Sequence, residues 1–164
     1  GRPGERLLNW ETAKPIEWGV LLLFAGGIAL AKAFVSSGLS DAIGQQLAGF
    51  TQLPLWLTIL LICLCVTFLT EVTSNTATTT LLMPILAATA LAAGIDPFTL
   101  MLPAALSASC AFMLPVATPP NAIIFASGRI KVQQMARKGL AVNLVGAVLI
   151  TVLTLVLHGL AATG

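Results

Sequence analysis

The chain has 164 residues, of which 57% are hydrophobic and only 9% are charged, whereas an ordinary soluble domain carries about 25% charged residues. So few charges cannot build a water-facing surface, which excludes a typical soluble domain and indicates that the chain folds in a lipid bilayer. The formal net charge of +2 is also too small to indicate binding to nucleic acid.

Apolar stretches recur along the chain and predict an all-α membrane protein. A bilayer core needs about 20 residues of helix, and fewer where a helix enters only partway. In chain order we predict a transmembrane helix over 16–34, an amphipathic interfacial helix over 36–50, a re-entrant hairpin over 53–95, a broken transmembrane helix over 98–128 and a last transmembrane helix over 135–160. The interfacial helix is predicted from apolar residues at helical spacing between polar ones, namely Leu39, Ile43, Leu47 and Phe50.

The basic residues predict an orientation in the cytoplasmic (inner) membrane. They concentrate before the first apolar segment and in the connector over 129–138, and the connectors over 36–54 and 94–97 have none. Since cytoplasmic loops carry an excess of Lys and Arg, we expect the N-terminal run, with Arg2 and Arg6, and the 129–138 connector to be cytoplasmic. The chain is then a multi-pass protein with its C-terminus outside.

The first unusual feature is a polar interruption over residues 70–76, where six of seven side chains are polar between two apolar arms. Non-helical backbone at membrane depth survives only inside protein or along a polar cavity. The arm that begins near Asn75 would offer N–H groups to an anion, and the arm that ends near Thr70 would offer carbonyls to a cation such as sodium. Two full spans also fit the topology, but the absence of Lys and Arg favours a hairpin that dips halfway.

A second interruption is predicted at residues 117–121, Ala-Thr-Pro-Pro-Asn. Pro119 and Pro120 cannot both lie inside a regular helix, and Asn121 is expected to cap a short helix over 122–127. A simple proline kink, or a connector between two shorter helices, would fit the same residues. Two interruptions within about 50 residues favour a transport site, because paired broken elements form the sites of many secondary carriers.

At these interruptions the sequence closely resembles the divalent anion/sodium symporter family, which carries dicarboxylates, citrate or sulfate. The Ser-Asn-Thr signature stands at residues 74–76, and a second signature, LPVATPPNAIIF, stands at 114–125. The resemblance implies the second inverted repeat of a secondary transporter, in a homodimer whose protomers each have a scaffold and a moving transport part, the elevator mechanism. Because the chain begins at Gly1 without an initiating Met, we expect it to be cut from a longer protein, and the resemblance implies that it is the C-terminal half.

The family also implies roles for individual residues. The residues that resemble the substrate side are Ser74, Asn75, Thr76, Thr118 and Pro119. Those that resemble a sodium site, several through backbone carbonyls, are Thr70, Thr73, Asn75 and Ala117. Many family members have Gly where Ala117 stands, and Ala also fits a role for a carbonyl oxygen. Apart from Glu71, which we interpret as structural, neither interruption is charged, so sodium would neutralise much of a dianionic substrate.

The resemblance implies sodium-coupled symport of dicarboxylates such as succinate, malate or fumarate. Transport of sulfate or citrate is the alternative, and a channel or a structural membrane subunit also fits polar breaks. We do not expect an enzyme, because the chain has one His and neither His-Glu-x-x-His nor Gly-x-Ser-x-Gly. Cys63, Cys65 and Cys110 lie in apolar stretches and predict neither a disulfide nor a metal cage. We expect no cofactor, and sodium ions are expected as the coupling ions.

Overall fold

The computed structural model describes residues 10–15, 18–47 and 53–163, and every regular element in these ranges is an α-helix. The expected all-α fold is therefore confirmed for the described residues. Arg2, Arg6 and Phe50, which entered the predictions above, lie outside them, as do the first two residues of the predicted 16–34 helix. The helices are α1 (Trp10–Ala13), α2 (Trp18–Ser36), α3 (Leu39–Leu47), α4 (Leu55–Thr70), α5 (Asn75–Ala92), α6 (Phe98–Ala108), α7 (Pro119–Ala126) and α8 (Val132–Thr163).

The helices differ in whether they are long enough to cross a membrane. In the described residues, α5 and α8 are long and apolar enough to do so by length and composition. α4 and α6 are also apolar but have only 16 and 11 residues. At 1.5 Å per residue they extend about 24 and 16 Å, less than the roughly 30 Å of a bilayer core. By length alone, neither α4 nor α6 is sufficient to cross such a core.

α4 packs between α6 and α8, and small residues allow close contact. Ile59 and Cys63 of α4 meet Ala147 and Ile150 of α8 in one apolar cluster. A second cluster joins α4, α5 and α6 and contains Val66, Leu86, Ala90, Leu100, Ala104 and Ala108. The C-terminal ends of α4 and α6 consequently lie side by side, and the Thr70 hydroxyl donates to the Ala108 carbonyl oxygen at 2.8 Å.

The short helix α3 packs against the backbone of α5. Gly44 makes this possible, because a Cβ there would lie only 2.9 Å from the carbonyl carbon of Ala88. Leu39 of the predicted apolar stripe is 44% exposed. α3 thereby supports the helix whose N-terminus forms part of the candidate site.

The second interruption is longer than predicted. α6 ends at Ala108 and α7 begins at Pro119, so residues 109–118 are not helical, although the apolar run continues to Val116. The interruption predicted at residues 117–121 therefore begins earlier, at residue 109. Hydropathy cannot distinguish an apolar helix from an apolar loop whose backbone groups bond to distant side chains, and Glu71 and Asn121 provide such bonds here.

The predicted short helix is present, but it covers Pro119–Ala126 and not 122–127, and Asn121 is not its cap. Thr118 is the N-cap of α7, and its hydroxyl accepts from the Asn121 N–H at 3.3 Å. Pro119 and Pro120 occupy the first two positions of α7. The N–H groups of those positions have no partner within a helix, so proline is tolerated there and the helix begins earlier than predicted.

Candidate functional site

The turn between α4 and α5 presents two free hydrogen-bond donors. Ser74 caps α5, and its hydroxyl accepts from the Ala77 N–H at 3.0 Å. In the part of the chain that the structure describes, the N–H groups of Asn75 and Thr76 have no hydrogen-bond partner. These donors lie at the positive end of the α5 dipole, which favours an anion.

Oxygen atoms crowd around Thr70 at the base of the same turn. The side chain is fully buried, and its hydroxyl oxygen lies 2.6 Å from Asn75 Oδ1 and 2.8 Å from the Ala108 carbonyl oxygen. One hydroxyl proton can serve only one of these two acceptors, so the group is poor in protons and rich in oxygen. Such a group suits a cation such as sodium.

Thr73 uses its hydroxyl within the turn. The hydroxyl lies 2.8 Å from the Leu69 carbonyl oxygen and 2.6 Å from the Thr78 hydroxyl. By contrast, the backbone carbonyls of Thr70 and Thr73 accept no hydrogen bond from any described residue. Thr73 could therefore ligate a cation through its backbone more readily than through its side chain.

The N-terminus of α7 has a different character. The Asn121 N–H is occupied by the Thr118 hydroxyl, the Ala122 N–H by the Thr118 carbonyl, and the two prolines before them have no N–H. Within the described residues, the carbonyl of Ala117 accepts no hydrogen bond. This end offers an unpaired acceptor and no free backbone donor in its first turn.

Two buried side chains fix the backbone of the loop over 109–118. Asn121 Nδ2 donates to the carbonyl oxygens of Ala111 at 2.8 Å and Leu114 at 3.0 Å. The Glu71 carboxylate accepts from the Met113 and Leu114 N–H groups at 2.8 and 3.0 Å. The loop is thus held to α7 and to the hairpin turn.

The two interruptions face one cavity of about 500 Å³. Six predicted site residues line it, and they are Ser74, Asn75, Thr76, Ala117, Thr118 and Pro119. Thr70 lies beneath Asn75, and Thr73 is turned towards Thr78. The other lining residues were not among the predicted site residues, and they are Ser109, Ala111, Phe112, Pro120 and Asn121. Most of these belong to the loop that hydropathy assigns to a helix.

The lining of this cavity carries no charged side chain. Among the described residues, no group of three or more His, Cys, Asp and Glu could hold a metal ion. A cation here would therefore be bound by neutral oxygens. A larger cavity of about 900 Å³ lies between α7 and the start of α8, with Arg137 and Lys138 in an otherwise mostly apolar lining. It contains none of the predicted site residues.

Known proteins match this chain over most of its length. The family model described as the sodium:sulfate symporter transmembrane region matches residues 5–160. The chain is 49% identical over 146 residues to the sodium-dependent dicarboxylate transporter SdcS of Staphylococcus saprophyticus. It is 52% identical over 145 residues to the protein of the same name from Staphylococcus aureus. These alignments cover 89% and 88% of this chain, but the chain spans only 28% of the length of either relative.

Proposed function

The chain belongs to the sodium:sulfate symporter family, and we propose that it supplies part of the binding site of a sodium-coupled symporter for dicarboxylates such as succinate, malate or fumarate. The observation that carries the proposal is the shared cavity of about 500 Å³ between the α4–α5 turn and the N-terminus of α7. The names of the two relatives, sodium-dependent dicarboxylate transporters, support the choice of substrate.

The substrate-side residues in this proposal are Ser74, Asn75, Thr76, Thr118 and Pro119. One carboxylate would accept hydrogen bonds from the free N–H groups of Asn75 and Thr76 at the N-terminus of α5. The Asn75 amide nitrogen has no hydrogen-bond partner in the described residues and could add a third donor. Across the cavity, Thr118 and Pro119 would contact the substrate, and Pro119 has no backbone N–H to donate.

Sodium would bind beside the substrate at Thr70, Thr73, Asn75 and Ala117. The crowded oxygens around Thr70 and the free carbonyls of Thr73 and Ala117 support this set. Asn75 would serve both ions, with Oδ1 towards sodium and the amide nitrogen towards the carboxylate. Because no charged side chain lines the cavity, a dianion without sodium would be poorly compensated, which couples the two binding events.

We also propose finer points of architecture. The α4–α5 hairpin is re-entrant, supported by the length of α4, about 24 Å, and by a turn without Lys or Arg. The chain is the second of two inverted repeats, in a homodimer that works by an elevator movement. The basic connector over 129–138 supports a cytoplasmic start of α8 and a C-terminus outside.

The test of function is uptake of labelled succinate by the full-length protein in liposomes. We expect uptake driven by an inward sodium gradient, and we expect unlabelled internal succinate to accelerate entry of the label. A channel would show no such counterflow. Sulfate and citrate are tested as competitors in the same assay. Sodium-driven uptake of sulfate without succinate would contradict the substrate and favour the alternative that the family name contains.

Topology is tested with single cysteines in the full-length protein without its native cysteines. Gln45 of α3 and Gln133 at the start of α8 are both exposed. We expect an impermeant thiol reagent, applied from outside, to label a cysteine at Gln45 and to leave one at Gln133 unlabelled. Labelling of both would contradict the proposed orientation.

A further inference from the structure

Glu71 is a buried carboxylate that the proposed binding chemistry does not use. Only 4% of its surface is exposed, and it directly follows the last residue of α4. Its two oxygens receive three hydrogen bonds from outside the hairpin, two from the loop over 109–118 and one from α8. Hydrogen bonds to an ionised group are stronger than those between neutral groups, so Glu71 firmly connects the hairpin to the loop and to α8.

α8 contributes one hydrogen bond to Glu71 and one close backbone contact with the loop. The Asn143 side chain is fully buried, and its Nδ2 donates to Glu71 Oε1 at 2.7 Å. One turn earlier, Gly139 lies directly against the loop, because a Cβ there would be 2.5 Å from the Phe112 carbonyl carbon and 2.7 Å from Met113 Cα. The loop therefore packs on the α8 backbone while its N–H groups bond to Glu71.

We infer that Glu71 and Asn143 are positioning residues that fix the Ala117–Thr118 side of the cavity relative to the Asn75–Thr76 side, so that sodium and substrate bind cooperatively. The inference rests on the proposed function. Glu71 touches neither ion in this scheme. It acts because Thr70, its neighbour, belongs to the sodium side, whereas Met113 and Leu114 lead into Ala117 and Thr118. If the hydrogen bonds of Glu71 are weakened, the two sides of the cavity can move independently.

The test compares Glu71→Gln with the wild-type full-length carrier. Gln retains the size of Glu but places an amide nitrogen opposite N–H donors and removes the charge. We expect the half-saturating concentrations of sodium and succinate to rise about tenfold each, since a hydrogen bond to a charged group is lost. The decisive readout is coupling: in the wild type, raising sodium lowers the half-saturating succinate concentration, and this dependence should be several-fold weaker in the variant.

Asp41→Asn is the matched control, because Asp41 is an exposed acidic residue on α3, outside the site. It should leave both constants and their coupling within about twofold of wild type. Asn143→Ala is the milder second variant, since it removes one donor and leaves the two backbone donors to Glu71. We expect it to shift the same quantities in the same direction, by about threefold to tenfold.

Hydrogen–deuterium exchange provides a readout that does not depend on transport. Glu71→Gln should accelerate exchange in a peptide that contains Met113 and Leu114, and exchange in the middle of α5 should not change. If exchange is unaltered, or if Glu71→Gln lowers only the maximal rate and retains full coupling, the inference is overturned. Absence of sodium-driven uptake in the wild type would instead refute the proposed function, and the exchange result would still decide whether Glu71 holds the loop.

Discussion

The two interruptions of this chain differ in length and in the backbone hydrogen-bonding groups that they leave free. The α4–α5 turn is short, spans residues 71–74, and leaves the N–H groups of Asn75 and Thr76 free. The loop between α6 and α7 spans residues 109–118 and leads into a helix that begins with two prolines. The first interruption offers donors as well as acceptors, whereas the second offers mainly acceptors.

The difference indicates that the two sides of the cavity have different roles in binding. An anion gains most from the α5 end, where free N–H groups and a helix dipole coincide. The α7 end has its own dipole but no free backbone donor in its first turn, so it can shape the cavity and contribute carbonyls without strongly binding an anion by itself. Four substitutions test this difference, each measured as succinate uptake by the full-length protein.

Asn75→Ala should have the largest effect, because Asn75 is the one side chain proposed to serve both ions. It would remove the Oδ1 that lies 2.6 Å from the Thr70 hydroxyl and the amide nitrogen on the substrate side. We expect both the half-saturating sodium and the half-saturating succinate to rise about tenfold to a hundredfold. Higher sodium should partly restore succinate affinity, since linkage is reciprocal. Unchanged affinity for both ions would mean that the turn is structural.

Thr76→Pro tests whether the free backbone donor matters. Proline is tolerated in the first turn of a helix and removes the N–H. We expect the half-saturating succinate concentration to rise about tenfold, with a smaller change for sodium. Thr76→Val is the control, because it removes the hydroxyl and retains the N–H. An equal loss in both variants would assign the effect to the hydroxyl instead.

Thr118→Ala should weaken succinate more than sodium, by about fivefold. The change removes the hydroxyl that caps α7 and lines the cavity, and loss of a cap costs about 1 kcal/mol. Thr118→Ser retains the hydroxyl and should behave like the wild type. A larger effect on sodium than on succinate would exchange the roles that we propose for the two sides of the cavity.

Pro120→Ala should have the smallest effect. It adds an N–H to the first turn of α7 without disturbing a hydrogen bond, since the proline has none to lose. If the anion binds at the α5 end, the half-saturating succinate concentration should stay within about twofold of wild type. A tenfold tighter binding of succinate would show that the substrate carboxylate lies at the α7 end and not at the α5 end.

Local chemistry made the first interruption predictable. Polar residues at helix ends, a Ser-Asn-Thr cap signal and the absence of basic residues all lie within residues 70–76. The structure ends α4 at Thr70 and begins α5 at Asn75, where the pattern places these ends. The family signatures contain the predicted residues that line the cavity at both interruptions, and what each of them binds stays a prediction.

The second interruption could be predicted only in part, because its causes are distant in sequence. Nothing in the apolar run over 109–116 indicates that a carboxylate 42 residues earlier accepts its Met113 N–H. Nor does hydropathy show that Gly139 brings the α8 backbone against Phe112. Long-range hydrogen bonds and close backbone contacts leave no periodic pattern, so the length of this loop required the structure.

The short reach of α4 has an electrical consequence. If the hairpin enters from the outer face, a helix of about 24 Å carries its terminal oxygens across much of a hydrocarbon layer of roughly 30 Å. A sodium ion that reaches Thr70 would then cross a large share of the membrane voltage. A full crossing is worth about 2.3 kcal/mol per charge at 100 mV. An inside-negative potential should therefore tighten sodium binding before any part of the protein moves. The affinity for sodium would then depend on the membrane potential as well as on the substrate.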